Sequence, residues 1–261
     1  MPGREPRRLL ILAGTGEAAA LARAAAAAFS GRLEVTSSLS GGFVRSGRFA
    51  GAVRIGGFGG ADGLADYLRG ERIDMVVDAT HPFAQTISAN ARAACDAAMV
   101  PRLVLARPRW RKRPDDRWIE VDDMAEAVAE LRRRGGRAFI TIGVKEIHHF
   151  ANLPNVFCLV RLIESPAAPL PLANYEVITG RGPFTVAAEK ALLAGRRIDV
   201  VVSKASGGKA THAKITAARA MKLPVVMVRR SPEPEGERTS RIPAALGWIA
   251  ERLYEPHTNP R

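Results

Sequence analysis

Apolar residues in this chain come in short blocks of two kinds, and the kinds alternate from one end to the other. Unbroken runs such as Leu9-Leu10-Ile11-Leu12 and Val200-Val201-Val202 have the length of strands buried on both faces. Between them lie longer stretches whose apolar positions recur three or four residues apart, the helical period. In the first half the pattern predicts strands near residues 8–13, 33–38, 52–55, 74–78 and 102–106, with helices over 17–29, 61–68 and 85–98. The alanine run at 24–28 reads as helix, because alanine is the best helix former. Proline and charge break the series at residues 107–116, which read as a linker. A second series then predicts strands near 118–121, 138–142, 156–162, 175–179, 199–203 and 225–228, with helices over 124–134, 145–150, 184–194 and 211–221. Residues 231–241 read as loop and 244–254 as a closing helix. Strand and helix in alternation predict an α/β protein of two Rossmann-like parallel-sheet domains with an interdomain cleft. The expected division is 1–108 and 109–261, the closing helix going with the second domain.

One strand end stands out. The run Ile73-Asp74-Met75-Val76-Val77 stops at Asp78, and Thr80, His81 and Pro82 follow before a helical pattern begins near Phe83. In open α/β sheets ligands bind outside the carboxyl ends of the strands, so a hydroxyl, an imidazole and a fixed bend fall where a ligand would sit. A strand-to-helix turn capped by Thr80 or His81 accounts for the same residues.

After the first strand comes Gly14-Thr15-Gly16-Glu17-Ala18-Ala19, a G-x-G-x-x-G/A pattern with alanine in third place. The first glycine permits a tight turn, the second lets a phosphate approach the backbone, and the small third residue lets helix and strand pack closely. The helix N-terminus then offers N–H groups to an anion. A plain glycine-rich turn is the alternative. Glu17 would oppose a phosphate if its side chain pointed inward, and otherwise serves the helix N-terminus. The second strand ends Thr36-Ser37-Ser38-Leu39-Ser40-Gly41-Gly42, with Arg45 and Arg48 beyond and no carboxylate at its tip. Hydroxyls and arginine suit a 2′-phosphate, which favours NADPH over NADH; a polar loop has the same composition.

In the second half Gly143-Val144-Lys145, Gly180-Arg181-Gly182-Pro183-Phe184 and the segment from Ser203 to Thr211 each follow a predicted strand. They bring Lys145, Arg181, Lys204 and Lys209 to one edge, where several cations make a binding rim, although each alone reads as a solvated surface charge. Residues 206–208 lack the spacing of a Walker loop. His148 and His149 are adjacent, so on a helix they should point different ways. Trp110, Trp118 and Trp248 read as packing residues, and neither a catalytic triad nor a metal cluster is visible.

The 261 residues carry a net charge of +13, a field that attracts anions such as nucleic acid, anionic lipid or a polyanionic small molecule. Sparse aromatics argue against a single-strand nucleic-acid binder, which needs stacking platforms. No apolar run is long enough to span a bilayer, and no signal-peptide pattern opens the chain. Cys95 and Cys158 lie far apart and predict no disulfide framework, which makes a reducing cytoplasm the expected setting.

With these pieces in order the chain resembles the precorrin-6A reductase family of cobalamin biosynthesis, from about residue 9 to about 229. The resemblance rests on Ile11 to Glu17, on Asp78-Ala79-Thr80-His81-Pro82-Phe83-Ala84 with Ile87 to Ala91, and on Gly180 to Phe184. Ser203-Lys204-Ala205-Ser206-Gly207-Gly208 with Lys214 completes it. Two departures are Ala13 in place of a glycine and Arg229-Arg230-Ser231-Pro232 in place of an Arg-Pro close. The resemblance implies an NADPH-dependent reduction of one double bond in a corrin-precursor macrocycle, giving precorrin-6B from precorrin-6A. Gly14, Thr15, Gly16 and Glu17 would then lie at the pyrophosphate, and Ser38, Ser40 and Arg45 at the 2′-phosphate. Thr80, His81 and Pro82 would shape the nicotinamide region. Phe83, Lys145, Arg181, Gly182, Lys204, Ser206, Gly207 and Lys214 would receive a polycarboxylate tetrapyrrole. No general acid is assigned; His81 is the candidate by chemistry and reads more readily as a positioning wall. The expected partners include neither nucleic acid nor membrane. Two rivals are a reductase of small carbonyl compounds, which would need a Tyr/Lys pair, and a non-enzymatic nucleotide- or nucleic-acid-binding module.

Overall fold

A computed structural model of the chain describes residues 5–39, 41, 49–232 and 235–254. They form two compact units, one running up to Arg107 and resuming at Pro232, the other Pro108–Ser231. The first stretch carries β1 (Arg7–Ala13), α1 (Gly16–Ala28), β2 (Leu33–Leu39), β3 (Ala52–Ile55), α2 (Gly60–Gly70), β4 (Met75–Ala79), α3 (Gln85–Ala98) and β5 (Arg102–Leu105). The second unit carries β6 (Trp118–Val121), α4 (Met124–Arg134), β7 (Gly136–Ile140), a 3₁₀ segment Val144–Phe150, β8 (Val156–Leu162), β9 (Tyr175–Thr179), α5 (Val186–Gly195), β10 (Val200–Lys204), α6 (Ala213–Ala220) and β11 (Val225–Val228). The chain then returns to the first unit with β12 (Arg238–Thr239) and α7 (Ile242–Tyr254).

Each unit holds a six-stranded sheet, ordered β12-β5-β4-β1-β2-β3 in the first and β6-β11-β10-β7-β8-β9 in the second. All pairings are parallel. The unbroken apolar runs follow from this. Along β1, Leu9 and Ile11 face a layer with Leu21, Ala25, Trp248 and Ile249, whereas Leu10 and Leu12 face Leu64, Leu68, Ala91 and Cys95. A strand covered on both sides needs an apolar residue at every position. The expected closing helix forms, but it packs beside α1 in the first unit, not with the second domain. Its apolar face is drawn there by the open side of that sheet, and β12 carries the chain back by pairing with β5. Residues 238–239, read as loop, are therefore a strand. No helix among the described residues is long and apolar enough to cross a membrane.

Candidate functional site

Strand order reverses between β1 and β4 in the first sheet and between β7 and β10 in the second. Such switch points open a crevice at the carboxyl ends of the strands. In the first unit two loops meet there, residues 14–15 after β1 and residues 80–84 after β4.

Thr15 caps α1. Its Oγ1 accepts from the Ala18 N–H at 3.1 Å and donates to the Ala79 carbonyl at 2.9 Å. The hydroxyl is thus consumed in stitching the two loops together, which leaves Thr15 only its backbone to offer an anion. Gly14 is needed for the same closeness, since a Cβ there would stand 3.2 Å from the His81 nitrogen. Gly16 differs: a Cβ would meet nothing within 4 Å, so the space outside the first turn of α1 is open. Glu17 does not confront that space as a bare charge, because Arg107 donates to its carboxylate at 2.7 Å.

The loop after β4 is held from below. Asp78 is buried, and its Oδ1 accepts from the Thr80 N–H at 3.2 Å and the Thr80 hydroxyl at 2.7 Å. Ser88 on α3 lies 3.0 Å from the same hydroxyl. Thr80 therefore orders the loop internally. Asp78 Oδ2 has no hydrogen-bond partner and faces Arg102 at 3.9 Å, a buried pair in Coulomb contact only. His81 Nδ1 accepts the Phe83 N–H at 3.3 Å, which when the ring is neutral puts the proton on Nε2. Pro82 and Phe83 are half-buried in the same loop.

At the tip of β2, Ser38 is buried and Arg54 Nη1 reaches its Oγ at 3.5 Å. Arg54 comes from β3, whose register places it opposite Ser38. Its guanidinium lies 3.8 Å from the Phe58 ring centroid and donates to the carbonyls of Gly56 and Gly57. Sequence reasoning passed over this arginine. Ser40 and Arg45 lie outside the described residues.

At the carboxyl edge of the second sheet the predicted cations divide. Lys145, in the 3₁₀ segment after β7, and Arg181, in the loop after β9, are exposed. Lys204, at the end of β10, is ion-paired with Glu146 from the 3₁₀ segment and is largely buried. Lys214 is not on the rim at all: it is buried in the first turn of α6. It shares that interior with Glu189 of α5, itself paired with Arg161 at 2.8 Å, and with the ring of Trp110. Burial pushes the Lys214 ammonium down to about 8, with Glu189 opposing and Arg161 adding to the shift. Glu189 and Arg161 were not singled out from the sequence. A carboxylate in the first turn of a helix reads as a surface residue serving the dipole, and only packing reveals it as buried.

The glycines of this edge have a packing cause. A Cβ on Gly207 would stand 2.2 Å from the Pro108 carbonyl oxygen, and one on Gly182 would stand 2.6 Å from that of Ala210. Loops after β9 and β10 therefore touch, and residue 108 lies directly over the second. The buried Arg230 donates to the Ser206 carbonyl at 2.9 Å. His148 and His149 do not diverge. Their ring centroids are 4.2 Å apart, the side chains turning together on an exposed 3₁₀ turn. Among the described residues no group of three or more His, Cys, Asp or Glu could hold a metal.

A family model described as precorrin-6x reductase CbiJ/CobK matches residues 8–250. The chain belongs to the precorrin-6x reductase family. It is 47% identical over 244 residues to a precorrin-6A reductase of Rhodococcus erythropolis, covering 93% of this chain and 97% of that one. A Sinorhizobium precorrin-6A reductase is 43% identical, with 95% of each chain covered. A cobalt-precorrin-6A reductase of Salmonella typhimurium is 28% identical, over 93% of this chain and 97% of its own. Among solved structures, one described as CobK precorrin-6A reductase matches with a TM-score of 0.88 and 39% identity, over 94% of this chain and 97% of that chain. The expected family holds, and so does the expected α/β class with two parallel sheets.

Proposed function

We propose that this member of the precorrin-6x reductase family reduces precorrin-6A to precorrin-6B with NADPH in the cytoplasmic synthesis of cobalamin. What carries the reading is 47% identity to a precorrin-6A reductase across nearly the whole of both chains. The lower identity to the cobalt-precorrin enzyme favours the cobalt-free macrocycle. The residues of the first unit fit a dinucleotide: the open space outside Gly16, the capped N-terminus of α1, and Arg54 beside Ser38 for the 2′-phosphate. NADPH supplies the hydride, and the protein supplies orientation and electrostatics.

Asp78 holds Thr80, and Thr15 ties α1 to the end of β4, so the two loops that would border the cofactor are fixed before it binds. His81, accepting at Nδ1 within its own loop, serves as a positioning wall. The second unit would take the tetrapyrrole, its exposed Lys145 and Arg181 receiving acetate and propionate carboxylates. Lys204 acts with Glu146 as a paired group, and Lys214 is buried near the Trp110 ring. Cys95 and Cys158 are buried free thiols, burial pushing them up to about 12 and about 11, so neither is poised to react.

The test is oxidation of NADPH, followed by its absorbance, with purified protein and precorrin-6A. Oxidation that depends on the macrocycle supports the reading, and none at all refutes it. The rival small-carbonyl reductase would need a Tyr/Lys pair, and the Tyr175 hydroxyl oxygen instead accepts the Leu170 N–H at 3.1 Å.

A further inference from the structure

Residues 107–116 read as a linker, yet from Pro108 onward this segment is tied to the second unit at several points. The Pro108 carbonyl presses on Gly207 so closely that no side chain fits there. Trp110 Nε1 donates to the Gly208 carbonyl at 2.8 Å, its ring stands 5.6 Å from that of His212, and Lys214 Nζ lies 5.7 Å from its centroid. Farther along, the Arg113 N–H bonds the buried Asp116, and Asp116 accepts from Arg219 of α6 at 2.8 Å. The chain therefore starts at the carboxyl edge of the sheet, over the loop after β10, and descends along α6 to the start of β6.

Its basic residues consequently have a fixed place. Trp110 bonds the Gly208 carbonyl, and its neighbours in sequence, Arg109 and Arg111, are exposed, as is Lys209, which follows Gly208. On the predicted rim Lys145, Arg181 and Lys209 are exposed, while Lys204 is largely buried beside Glu146. Arg109 and Arg111 add two exposed guanidinium groups to the same edge.

We infer that Arg109 and Arg111, anchored by Trp110, are part of the carboxylate-receiving edge of the second unit and help to bind a polycarboxylate tetrapyrrole. The inference rests on the reading of the second unit as the macrocycle side. Guanidinium groups suit this role, since each presents a planar fork of donors to a carboxylate.

Uroporphyrin, whose side chains are all acetate or propionate, is the probe, with its methyl ester as the uncharged comparison and NADPH titrated separately. The Arg109→Gln/Arg111→Gln variant should raise the uroporphyrin Kd about three- to tenfold, flatten its salt dependence, and leave the NADPH Kd unchanged. Trp110→Phe, which keeps the charge but loses the anchor, should shift the Kd in the same direction. The control Arg132→Gln/Arg133→Gln removes equal charge from the end of α4, at the opposite edge of the sheet, and should change nothing. Unaltered uroporphyrin binding in the Arg109/Arg111 variant overturns the inference. So does an equal loss in the control, which would show a field of the whole molecule, or no binding by the wild type. Failure of precorrin-6A to oxidise NADPH while uroporphyrin binding depends on these arginines would refute the proposed reaction and leave this site standing.

Discussion

Arg54 shows how one side chain can decide between two cofactors. Its guanidinium is held in place by two carbonyls and stacks on Phe58, beside the tip of β2, where the ribose end of a dinucleotide would lie. Arg54→Leu should therefore weaken NADPH about tenfold or more and leave NADH almost unaffected. Fluorescence titration with both nucleotides checks this, and equal losses for the two would exclude a contact with the 2′-phosphate. His81 gives the opposite kind of expectation. A general acid contributes roughly a hundredfold or more, so His81→Asn, if the ring only positions the loop, should cost kcat less than about tenfold and leave its pH profile unchanged in shape. A larger loss, with a missing pH limb, would make His81 the proton donor. At this scale the sequence was legible in the turns that follow β1 and β4, where Thr15 caps α1 and Asp78 holds Thr80. It was silent on Arg54, because an arginine inside a short strand gives no sign of which strand lies beside it; that depends on register, which is tertiary. Nor did it show that Lys214, which the resemblance puts among the carboxylate-receiving residues, is buried near Glu189, since burial depends on packing.

The elements at the two switch points differ in what fixes them. α1 begins at Gly16 with no backbone strain and no neighbour for a Cβ, so Gly16→Ala should fold normally, with stability unchanged or raised by up to about 1 kcal/mol. The same methyl group would occupy the approach to the helix N-terminus, and NADPH binding should fall at least about tenfold. Chemical denaturation and nucleotide titration on one preparation separate the two effects; a variant that binds NADPH as the wild type does would move the dinucleotide elsewhere. In the second unit α5 and α6 are joined across a buried cluster of two cations and one carboxylate, Arg161, Lys214 and Glu189. Removing the carboxylate leaves two buried like charges, so Glu189→Gln should destabilise by about 3–5 kcal/mol. Lys214→Met leaves the Arg161–Glu189 pair balanced and should cost far less. The Lys214 ammonium is held below its ordinary value, so the folded state binds fewer protons than the unfolded state between about pH 8 and the ordinary lysine range. Stability should thus rise with pH through that window, relative to Lys214→Met, by at most about 1.4 kcal/mol per pH unit. Urea titrations of both proteins at several pH values test the sign. The hydrophobic period located these helices well, because it records which face is covered, and it said nothing of a charge placed on that covered face.

Over the whole molecule, the two units repeat one topology, and each is completed from outside its own series. Five strands run in the order β3-β2-β1-β4-β5 in the first sheet and β9-β8-β7-β10-β11 in the second. A simple tandem repeat would seat β6 beside β5, which it follows, and β12 beside β11. The structure does the reverse: β6 pairs with β11 and β12 with β5. Alternation of strand and helix predicted two parallel sheets, and the compact units meet along the chain at Arg107 and again at Pro232. It could not assign the terminal strands, because a short parallel edge strand carries no mark of its partner. The consequence is mechanical. Trp248, Ile249 and Leu253 of α7 cover the α1 face of the first sheet, and Trp248 Nε1 and Arg252 both bond Glu237 just before β12. Each large apolar side chain so buried contributes about 1.5–3 kcal/mol, so these three alone amount to a large share of the stability of a unit this size. A chain ending at Ser231 should therefore damage the first unit and spare the second, although the removed residues follow the second in sequence. Hydrogen exchange resolves the two. Amides of β1 and α1 should lose most of their protection while those of β7 and β8 keep theirs, and NADPH binding should fail together with the first set. Protection lost from β10 and β11 instead would return the closing helix to the second unit.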